Sequence, residues 1–458
     1  MRRPDIASRV PFVEDASGFR GFADQIFAPA DEAEVIELLR RAAVERIGVT
    51  VSGAGTGVTG GRVPEGGWLL SLERLNRLEV TEGRAVAGAG VLLRDLQSAA
   101  AASRQFYAPD PTETTASIGG TIATNASGSR SFRYGPTRNH VLGLRVVLAG
   151  GRVLDLRRGD KVDFEVPLLP LPQTTKHTAG YYLQPGMDWV DLFVGSEGTL
   201  GVATRAELRL LPQPPEMLAG VVFFPDEESA LNAVESWRHE RPRMLEYFDR
   251  PSLDLLRTRF SEVPAAAAAL LFEDERDAGF WSERLEQAGA LLDSSWFADT
   301  ARDRERFRHF RHTLPELVNE IVRRRGFLKT GSDYAVPAAR NREMMACYRR
   351  LLESLLPGRY VIFGHIGDAH VHVNILPASA GDFERGRELM IEFARQAVAL
   401  GGTVSAEHGL GKRKAHLLEL QYTTEQIEAM KEVKRRLDPG WILGRGTLWP
   451  ADCTKPSC

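Results

Sequence analysis

The chain has 458 residues, of which 43% are hydrophobic and 26% are charged, and its formal net charge is −3. This length predicts two or three domains, and the composition is typical of a water-soluble globular protein. The nearly neutral balance gives no reason to expect nucleic acid as a partner. The longest apolar run, 263–272, is too short to span a bilayer, and the first residues contain no apolar signal segment. We therefore expect a cytoplasmic protein, held at the inner membrane only if a partner carries it there.

The three cysteines, Cys347, Cys453 and Cys458, form no CxxC pair. A disulfide scaffold, or an iron–sulfur cluster held by this chain alone, is therefore disfavoured. The last two cysteines stand in a polar tail, where we expect them to stay reduced.

A predicted helix, a strand and a glycine-rich loop open the chain. The helix covers residues 31–47 with Asp31 as its N-cap, and the strand GVTVSG runs into GAGTGVTGG. Residues 55–60 match GxGxxG, but Pro64 and Gly66 stand where the helix of a dinucleotide-binding unit should begin. A Rossmann domain is therefore disfavoured. The loop is either a flexible turn or a set of backbone N–H groups that binds a phosphate.

Two further segments of small residues have the same character: SIGGTIATNASGS at 117–129 and GSEGTLGV at 195–202. They lie beside the predicted strands LGLRVVLAG and ATRAELRLL. Three such segments suggest that the backbone repeatedly approaches one long ligand, such as a cofactor with a pyrophosphate and a flat ring. The PQPP sequence at 212–215 then predicts a domain boundary.

The sequence from residue 216 onward predicts alternating strands and helices. GVVFFP and AALLFED are predicted strands, while DEESALNAVESWRHE and AGFWSERLEQAGA are predicted amphipathic helices. A third helix is predicted over roughly 384–400. A last one, near 424–437, begins at a capping box of Thr423 with Gln426.

The stretch FGHIGDAHVHVNILP, at 363–377, combines histidines with two predicted strand pieces. Gly364 and Gly367 are expected to interrupt the run as a turn or bulge. Beyond the interruption, alternation places three polar side chains on one face: His370, His372 and Asn374. A bend at the glycines could bring His365 to that face. Imidazoles grouped this way suit zinc, iron or manganese, and a polar-faced strand without a metal is the alternative.

Six segments in chain order resemble those of the vanillyl-alcohol-oxidase type of FAD flavoproteins: GAGTGVTGGRVP, PDPTETTASIGGTIATNASGSRSFRYGPTRNHVLGLRVVLAGGRVLDL, TAGYYLQ with DLFVGSEGTLGV, GHIGDAHVHVN, SAEHGLGKRK and LDPGWIL. The nearest branch is the D-2-hydroxyacid dehydrogenases, which includes D-lactate dehydrogenases, the flavin subunit of bacterial glycolate oxidase and D-2-hydroxyglutarate dehydrogenase. Several motifs in order are more specific than any one of them.

The resemblance implies an α+β fold in three parts. A two-part FAD-binding domain of the PCMH type would cover 20–215. A cap domain with a large antiparallel sheet, flanking helices and the metal site would cover 216–420. A helical segment at 421–450 would return to the FAD domain.

The resemblance also implies where FAD binds. The cofactor would contact the three small-residue segments and their surroundings, through Ser52, Gly53, Ala54, Gly55, Thr56, Gly57, Gly60, Pro109, Ser117, Gly119, Gly120, Thr124, Ser127, Gly128, Glu197, Gly198, Gly201 and Val202. Covalent members of the wider family attach the flavin through a histidine or cysteine near the phosphate loop or ring. Residues 52–61 contain neither, so we expect non-covalent FAD.

In this branch the H-x-G-D…H and E-H-G motifs form a divalent-metal site. The resemblance therefore implies that His365, His372 and Glu407 bind zinc or manganese, with iron as a third candidate, and leave positions open for substrate oxygens. The family usually has asparagine where this chain has His370, which would either join the metal site or face outward. The family's asparagine near the flavin ring is also absent, and Arg445 either replaces its contact or faces solvent.

The implied reaction is the oxidation of a D-2-hydroxy acid, of the lactate, glycolate or 2-hydroxyglutarate class, to the 2-keto acid with hydride transfer to flavin N5. His408 would be the base, with a supporting role beside the site as the alternative. Asn374 would flank the substrate. Arg311 and Lys329 would bind its carboxylate, unless Arg311 is only a solvated charge on a helix.

The electron acceptor would be a quinone, a cytochrome, an electron-transfer flavoprotein or an iron–sulfur partner subunit, and not NAD. The first alternative function is that of the non-redox alkyl-dihydroxyacetonephosphate synthases, which typically carry a histidine cluster where this chain has Ala406-Glu407-His408. The second is a metal-dependent hydrolase with purely structural glycine loops. The third is the flavin subunit of a multi-subunit complex, and a homodimer is left open.

Overall fold

A computed structural model describes residues 12–214 and 216–450, so Cys453 and Cys458 lie outside the described residues. The helices are α1 (Glu32–Glu45), α2 (Leu93–Ala102), α3 (Ile118–Ala123), α4 (Ser131–Tyr134), α5 (Trp189–Phe193), α6 (Glu227–Glu240), α7 (Arg250–Arg257), α8 (Ala278–Gln287), α9 (Ala301–Arg324), α10 (Asn341–Leu355), α11 (Ala380–Ala399), α12 (Leu418–Gln421) and α13 (Thr424–Leu437). The strands are β1 (Gln25–Phe27), β2 (Val49–Ser52), β3 (Trp68–Ser71), β4 (Leu78–Thr81), β5 (Arg84–Gly88), β6 (Gln105–Phe106), β7 (Val141–Val147), β8 (Val153–Arg157), β9 (Val202–Arg209), β10 (Leu211–Pro212), β11 (Leu218–Phe224), β12 (Met244–Asp249), β13 (Ala268–Asp274), β14 (Trp296–Ala298), β15 (Tyr360–His365) and β16 (His370–Ile375).

The first half of the chain contains a three-stranded parallel sheet of order β1-β3-β2 and a five-stranded antiparallel sheet of order β4-β5-β9-β7-β8. Helix α1 begins where the Asp31 carboxylate accepts the N–H of Glu34, as the sequence predicts. Its buried face, including Val35 and Leu39, packs with Val49 and Trp68 into one apolar cluster. The small parallel sheet thus presents the end of β2, and the glycine-rich loop that follows it, at a fixed position.

The second half is built on a six-stranded antiparallel sheet of order β14-β11-β13-β12-β15-β16. Alternation along β11 buries Phe224 with Trp237 of α6 on one face and Phe223 with Phe310 of α9 on the other. Helices therefore cover both faces, and the expected α+β architecture with a large antiparallel sheet is confirmed.

The C-terminal segment returns to the first half of the chain. The backbone N–H of Val49 donates to the Ile442 carbonyl at 2.6 Å, and that of Gly444 donates to the Val49 carbonyl at 2.9 Å. Buried Lys434 of α13 donates to the carbonyl oxygens of Thr199 and Leu443, at 2.6 and 3.0 Å. The domain limits at 215 and 420 nevertheless stay predictions. In 12–214 and 216–450, no helix has the length and apolarity needed to cross a membrane.

Candidate active site

The β15–β16 hairpin places four polar side chains on one face of the large sheet. His365 pairs directly with His370 in the antiparallel register, and His372 and Asn374 follow at alternate positions of β16. Directly opposed residues share a face, so the side chain of His365 lies beside those of β16 without a bend. Contrary to the sequence prediction, Gly364 does not break the strand, because β15 runs through it at a φ of 127°. The turn occupies Ile366–Asp368.

Glu407 reaches this face from the segment after α11. Its Oε1 lies 3.2 Å from Nε2 of His365 and 3.4 Å from Nε2 of His372. Its Oε2 accepts hydrogen bonds from the hydroxyl of Ser127 at 2.8 Å and the N–H of Gly128 at 3.1 Å. One carboxylate oxygen is therefore engaged by a segment that the sequence predicts to bind FAD, and the other faces the two imidazoles.

Both imidazoles are held by their second nitrogen. Nδ1 of His365 lies 2.6 Å from Oε1 of Glu246, and Nδ1 of His372 lies 3.1 Å from the carbonyl oxygen of Ser332. A carbonyl or carboxylate oxygen can only accept, so each Nδ1 donates and each Nε2 is directed towards Glu407. Histidine ligands of metals are commonly oriented in this way.

Glu246 on β12 was not identified from the sequence. It is buried, and its Oε2 accepts a 2.7 Å hydrogen bond from Nε of Arg311 on α9. Burial raises the pKa of the Glu246 carboxyl, but the Arg311 guanidinium and the His365 imidazole outweigh this and hold the pKa well below its ordinary value. A continuous charged chain therefore runs from Arg311 through Glu246 and His365 to Glu407.

Lys176 was also not identified from the sequence. Its fully buried ammonium lies 3.2 Å from Oε2 of Glu407 and 3.3 Å from Oδ2 of Asp368, and it donates to the Gly128 carbonyl at 3.0 Å. Burial lowers the pKa of Lys176, but the two carboxylates raise it above its ordinary value. Burial raises the pKa of Glu407, but Lys176 and His365 lower it well below its ordinary range. A buried carboxylate and ammonium of this kind stabilise each other's charged form.

The Asp333 carboxylate accepts hydrogen bonds from the segment that contains the E-H-G motif. Its Oδ2 accepts the N–H of His408 at 3.0 Å and the hydroxyl of Ser405 at 2.8 Å. Its Oδ1 lies 3.4 Å from Nδ1 of His408, whose ring stacks on that of His372 at a centroid separation of 5.6 Å. The side chain of His408 is 32% exposed, so this imidazole stands at the open side of the cluster.

Of the other predicted catalytic residues, Asn374 and Arg311 are buried and Lys329 is exposed. Asn374 is 3% exposed, and its Nδ2 has no hydrogen-bond partner in the described residues. Arg311 is buried and bound to Glu246 and Thr112, so it is not a solvated helix-face charge. Lys329 is exposed and lies in the segment between α9 and α10.

The three predicted cofactor segments converge in space. The N–H of Ala54 donates to the Ser117 hydroxyl at 3.3 Å, and that of Glu197 donates to the Ala123 carbonyl at 2.8 Å. A Cβ added to Gly53 would lie 2.4 Å from the Ser117 hydroxyl, and one added to Gly198 would lie 3.6 Å from Val51. Small residues thus allow the loop after β2, the start of α3 and the turn before β9 to approach closely.

The segments predicted to bind the cofactor also contact the E-H-G segment. The Glu197 carboxylate accepts the N–H groups of Leu410 and Gly411, at 2.9 and 2.8 Å, and burial raises the pKa of its carboxyl to about 7. The carbonyl of Thr59 accepts the N–H groups of Lys412 and Arg413, at 3.0 Å each. The loop that follows β2 therefore lies directly against the chain that carries Glu407.

Three members of the predicted cofactor set have structural contacts of their own. Ser127 and Gly128 hold Glu407, as described above. Val202 is buried beside β7, so its side chain belongs to the core and any ligand contact there would involve its backbone. Arg445 is exposed and donates to the carbonyl oxygens of Trp441 and Arg46, at 2.9 and 3.1 Å.

The donor set of the cluster fits a divalent metal. His365, His370, His372 and Glu407 each offer a ligand atom, and these atoms lie within 4.8 Å of one another. Ligands at about 2.1 Å on opposite sides of a metal are about 4.2 Å apart, so small side-chain movements would suffice. Imidazoles with one carboxylate suit zinc, manganese and iron.

Two family models match the chain. One, described as an FAD binding domain, matches residues 23–157, and the other, described as FAD linked oxidases, C-terminal domain, matches residues 213–448. The chain belongs to the FAD-linked oxidase family. It is therefore an FAD-dependent oxidoreductase, and the family resemblance and the expectation of an enzyme are confirmed. A metal-dependent hydrolase with purely structural glycine loops is excluded by the same match.

Three of the similar proteins are named as enzymes, or an enzyme subunit, that act on 2-hydroxy acids. The chain is 34% identical to a D-lactate dehydrogenase of Archaeoglobus fulgidus, over 92% of this chain and 90% of that protein. It is 30% identical to the glycolate oxidase subunit GlcD of Bacillus subtilis, over 98% and 94% of the two chains. It is also 30% identical to a D-2-hydroxyglutarate dehydrogenase of Xanthomonas citri pv. viticola, over 93% and 89%.

The fold has solved counterparts. An alkyldihydroxyacetonephosphate synthase structure superposes with a TM-score of 0.68 over 93% of this chain and 76% of that one, at 14% sequence identity. At this level of identity, the structural similarity shows that the two proteins share a fold and does not show a shared activity.

Proposed function

We propose that this flavoenzyme oxidises a small 2-hydroxy acid to the 2-keto acid, the substrate being the D-enantiomer of a lactate-type or 2-hydroxyglutarate-type acid, or the achiral glycolate. The observation that carries the proposal is the placement of Glu407. One oxygen of this carboxylate faces two oriented imidazoles, and the other is bound by the cofactor-side residues Ser127 and Gly128. An acidic ligand shared between a flavin-side segment and a histidine cluster suits a reaction in which a substrate is held between the two.

Bound FAD would supply an acceptor for the hydride from the substrate α-carbon. A divalent ion held by His365, His372 and Glu407 would supply positive charge that lowers the pKa of the substrate hydroxyl. The protein's contribution is to keep these three ligands in place. Glu246 and the Ser332 carbonyl fix the two rings, and Lys176 keeps Glu407 ionised.

His408 would take the proton of the substrate hydroxyl. Its Nδ1 lies beside Asp333 at 3.4 Å, an arrangement that favours the tautomer with the proton on Nδ1 and the lone pair on Nε2. The ring is stacked on His372 and partly open to solvent, so Nε2 can be reached from the same side as the cluster. Geometry of this kind suits a general base.

Arg311, Asn374 and Lys329 would bind the substrate's carboxylate side. Nη2 of Arg311 makes no hydrogen bond to any residue described in 12–214 or 216–450, while its Nε is fixed by Glu246. Nδ2 of Asn374 is buried without a partner in the same ranges and is therefore a donor available to a substrate oxygen. Arg311 would thus both hold Glu246 and present one free N–H edge.

The test is a panel of D- and L-2-hydroxy acids assayed with an artificial dye acceptor, with NAD as the comparison acceptor. We expect either glycolate, which is achiral, or one D-2-hydroxy acid to reduce the dye, the L-enantiomer of a chiral substrate to be much slower, and NAD to be ineffective. Turnover of only L-acids, or of none of the panel by protein that contains FAD and metal, would contradict the proposal. An alkyl-dihydroxyacetonephosphate-synthase activity is disfavoured because Glu407 stands where those enzymes typically have histidine.

A second candidate is that this chain is the flavin subunit of a complex that passes electrons to a quinone, a cytochrome, an electron-transfer flavoprotein or an iron–sulfur partner. The similarity over 98% of the chain to a protein named as a glycolate oxidase subunit favours it. Purification of the tagged chain from its own host should then recover a partner in a fixed ratio together with higher activity towards quinone. Recovery of fully active protein alone would contradict this candidate.

A further inference from the structure

We infer that His370 is a fourth protein ligand of the metal, so that the centre consists of three imidazoles and one carboxylate. The inference rests on the metal centre of the proposed function and extends it at a position where the resembling family usually has asparagine. It concerns the number of protein ligands, which the motif alone does not fix.

The position of His370 brings its ring into the cluster. It is the hairpin partner of His365, and its side chain is fully buried. Its ring centroid lies 5.3 Å from that of His365 and 4.5 Å from that of His372. A ligand atom of His370 is within 4.8 Å of those of the other two histidines and of Glu407. The outward orientation left open by the sequence is therefore wrong.

One ring nitrogen of the buried His370 lacks a partner. Nε2 lies 3.2 Å from Oδ1 of Asp333. Nδ1 makes no hydrogen bond to any described residue, so this nitrogen is the one available to a ligand. By comparison the partly buried His177 is bonded through both nitrogens, to Thr403 and Tyr422. An unpaired buried ring nitrogen is costly, and a bond to a metal would satisfy it.

A fourth protein ligand leaves fewer coordination positions on the ion for substrate, and the number left depends on the ion. Four protein ligands complete the tetrahedral shell that zinc prefers in proteins. An ion that accepts five or six ligands, such as manganese or ferrous iron, would keep one or two positions for the hydroxyl and carboxylate oxygens of a 2-hydroxy acid. The geometry therefore favours manganese or iron over zinc as the ion of the active enzyme.

The test is X-ray absorption spectroscopy of the metal in the full-length FAD-containing protein, which counts the imidazoles around the ion. We expect three in the wild type and two in His370→Asn, with His309→Asn, an exposed helix position, as the matched control that keeps three. The dissociation constant for added Co²⁺ should rise at least about 100-fold in His370→Asn, since loss of an outer partner alone costs roughly 10–100-fold.

The outcomes separate this inference from the proposed function. Two imidazoles in the wild type, with an unchanged count in His370→Asn, would overturn the role of His370 and leave the metal centre standing. A folded, FAD-containing wild type that binds neither its own metal nor Co²⁺ would overturn both. The wild-type count needs no variant, so the test holds even if His370→Asn fails to fold.

Discussion

The hydroxyl of Ser127 donates a 2.8 Å hydrogen bond to Oε2 of Glu407, across 280 residues of sequence. This contact joins a segment predicted to bind FAD to a residue predicted to bind metal. Because Lys176 lies against the same oxygen, Oε1 alone is directed towards the imidazoles of His365 and His372. The two halves of the site are therefore positioned by one carboxylate.

Ser127→Ala should weaken metal binding while leaving the fold intact. The variant removes one of the three donors that orient Glu407, and loss of such a partner typically lowers metal affinity by about 10–100-fold. Titration of metal-depleted protein with Mn²⁺ measures the change. Ser98→Ala, on the exposed side of α2, is the control and should bind as the wild type does. Equal affinity in all three proteins would show that the contact does not orient the carboxylate.

The flavin should be released by acid. Neither histidine nor cysteine occurs in the glycine-rich loop at 52–61, so no covalent attachment is expected there. Precipitation with acid should leave the yellow chromophore in the supernatant with the mass of free FAD. Flavin that stays with the protein pellet would contradict a non-covalent site.

His372→Ala should lose the metal and keep the flavin. Its Nε2 faces Glu407, and its removal leaves the remaining ligands incomplete. Elemental analysis should give about one divalent ion per wild-type chain and far less in the variant, while the flavin spectrum is nearly unchanged. Undiminished metal in well-folded His372→Ala would exclude this residue as a ligand.

How much of this site the sequence predicts depends on whether a residue belongs to a local pattern. Alternation along β16 correctly predicts a shared face for His370, His372 and Asn374. Side-chain caps correctly predict where α1 and α13 begin. Helix α11 begins four residues earlier than predicted, because the hydroxyl of Ser379 accepts the N–H of Asp382 and caps it there.

The residues that sequence reasoning missed are those paired only in three dimensions. Glu246 meets Arg311 across 65 residues, and Lys176 meets Glu407 across 231. Each is a charged residue inside an ordinary strand or loop, so no motif or period distinguishes it from a solvated side chain. Both ion pairs form only when α9 and the 403–409 segment pack against the sheet. No local sequence pattern predicts that packing.

His408→Ala should slow the chemical step and leave binding of FAD and metal largely unchanged. The imidazole lies outside the group of His365, His370, His372 and Glu407, although it forms a second group of possible ligands with Asp333 and Glu407. A general base contributes about 10²–10⁴-fold to turnover. Steady-state kinetics with the best D-2-hydroxy acid should show a lower kcat with a modest change in KM. Asp333→Asn, which loses the partner of Nδ1, should show a smaller loss of kcat. A kcat for His408→Ala within a few-fold of the wild type would show that another group takes the proton.

The most direct measurement is anaerobic mixing of the metal-containing enzyme with D-2-hydroxy acids while the absorbance of the oxidised flavin is followed. We predict that a D-2-hydroxy acid of the lactate, glycolate or 2-hydroxyglutarate class bleaches the flavin in a single turnover and yields one equivalent of the 2-keto acid. The rate should fall by about 10²–10⁴-fold in His408→Ala. Oxidised flavin that persists in the presence of every acid of this class, with FAD and metal both bound, would contradict the account.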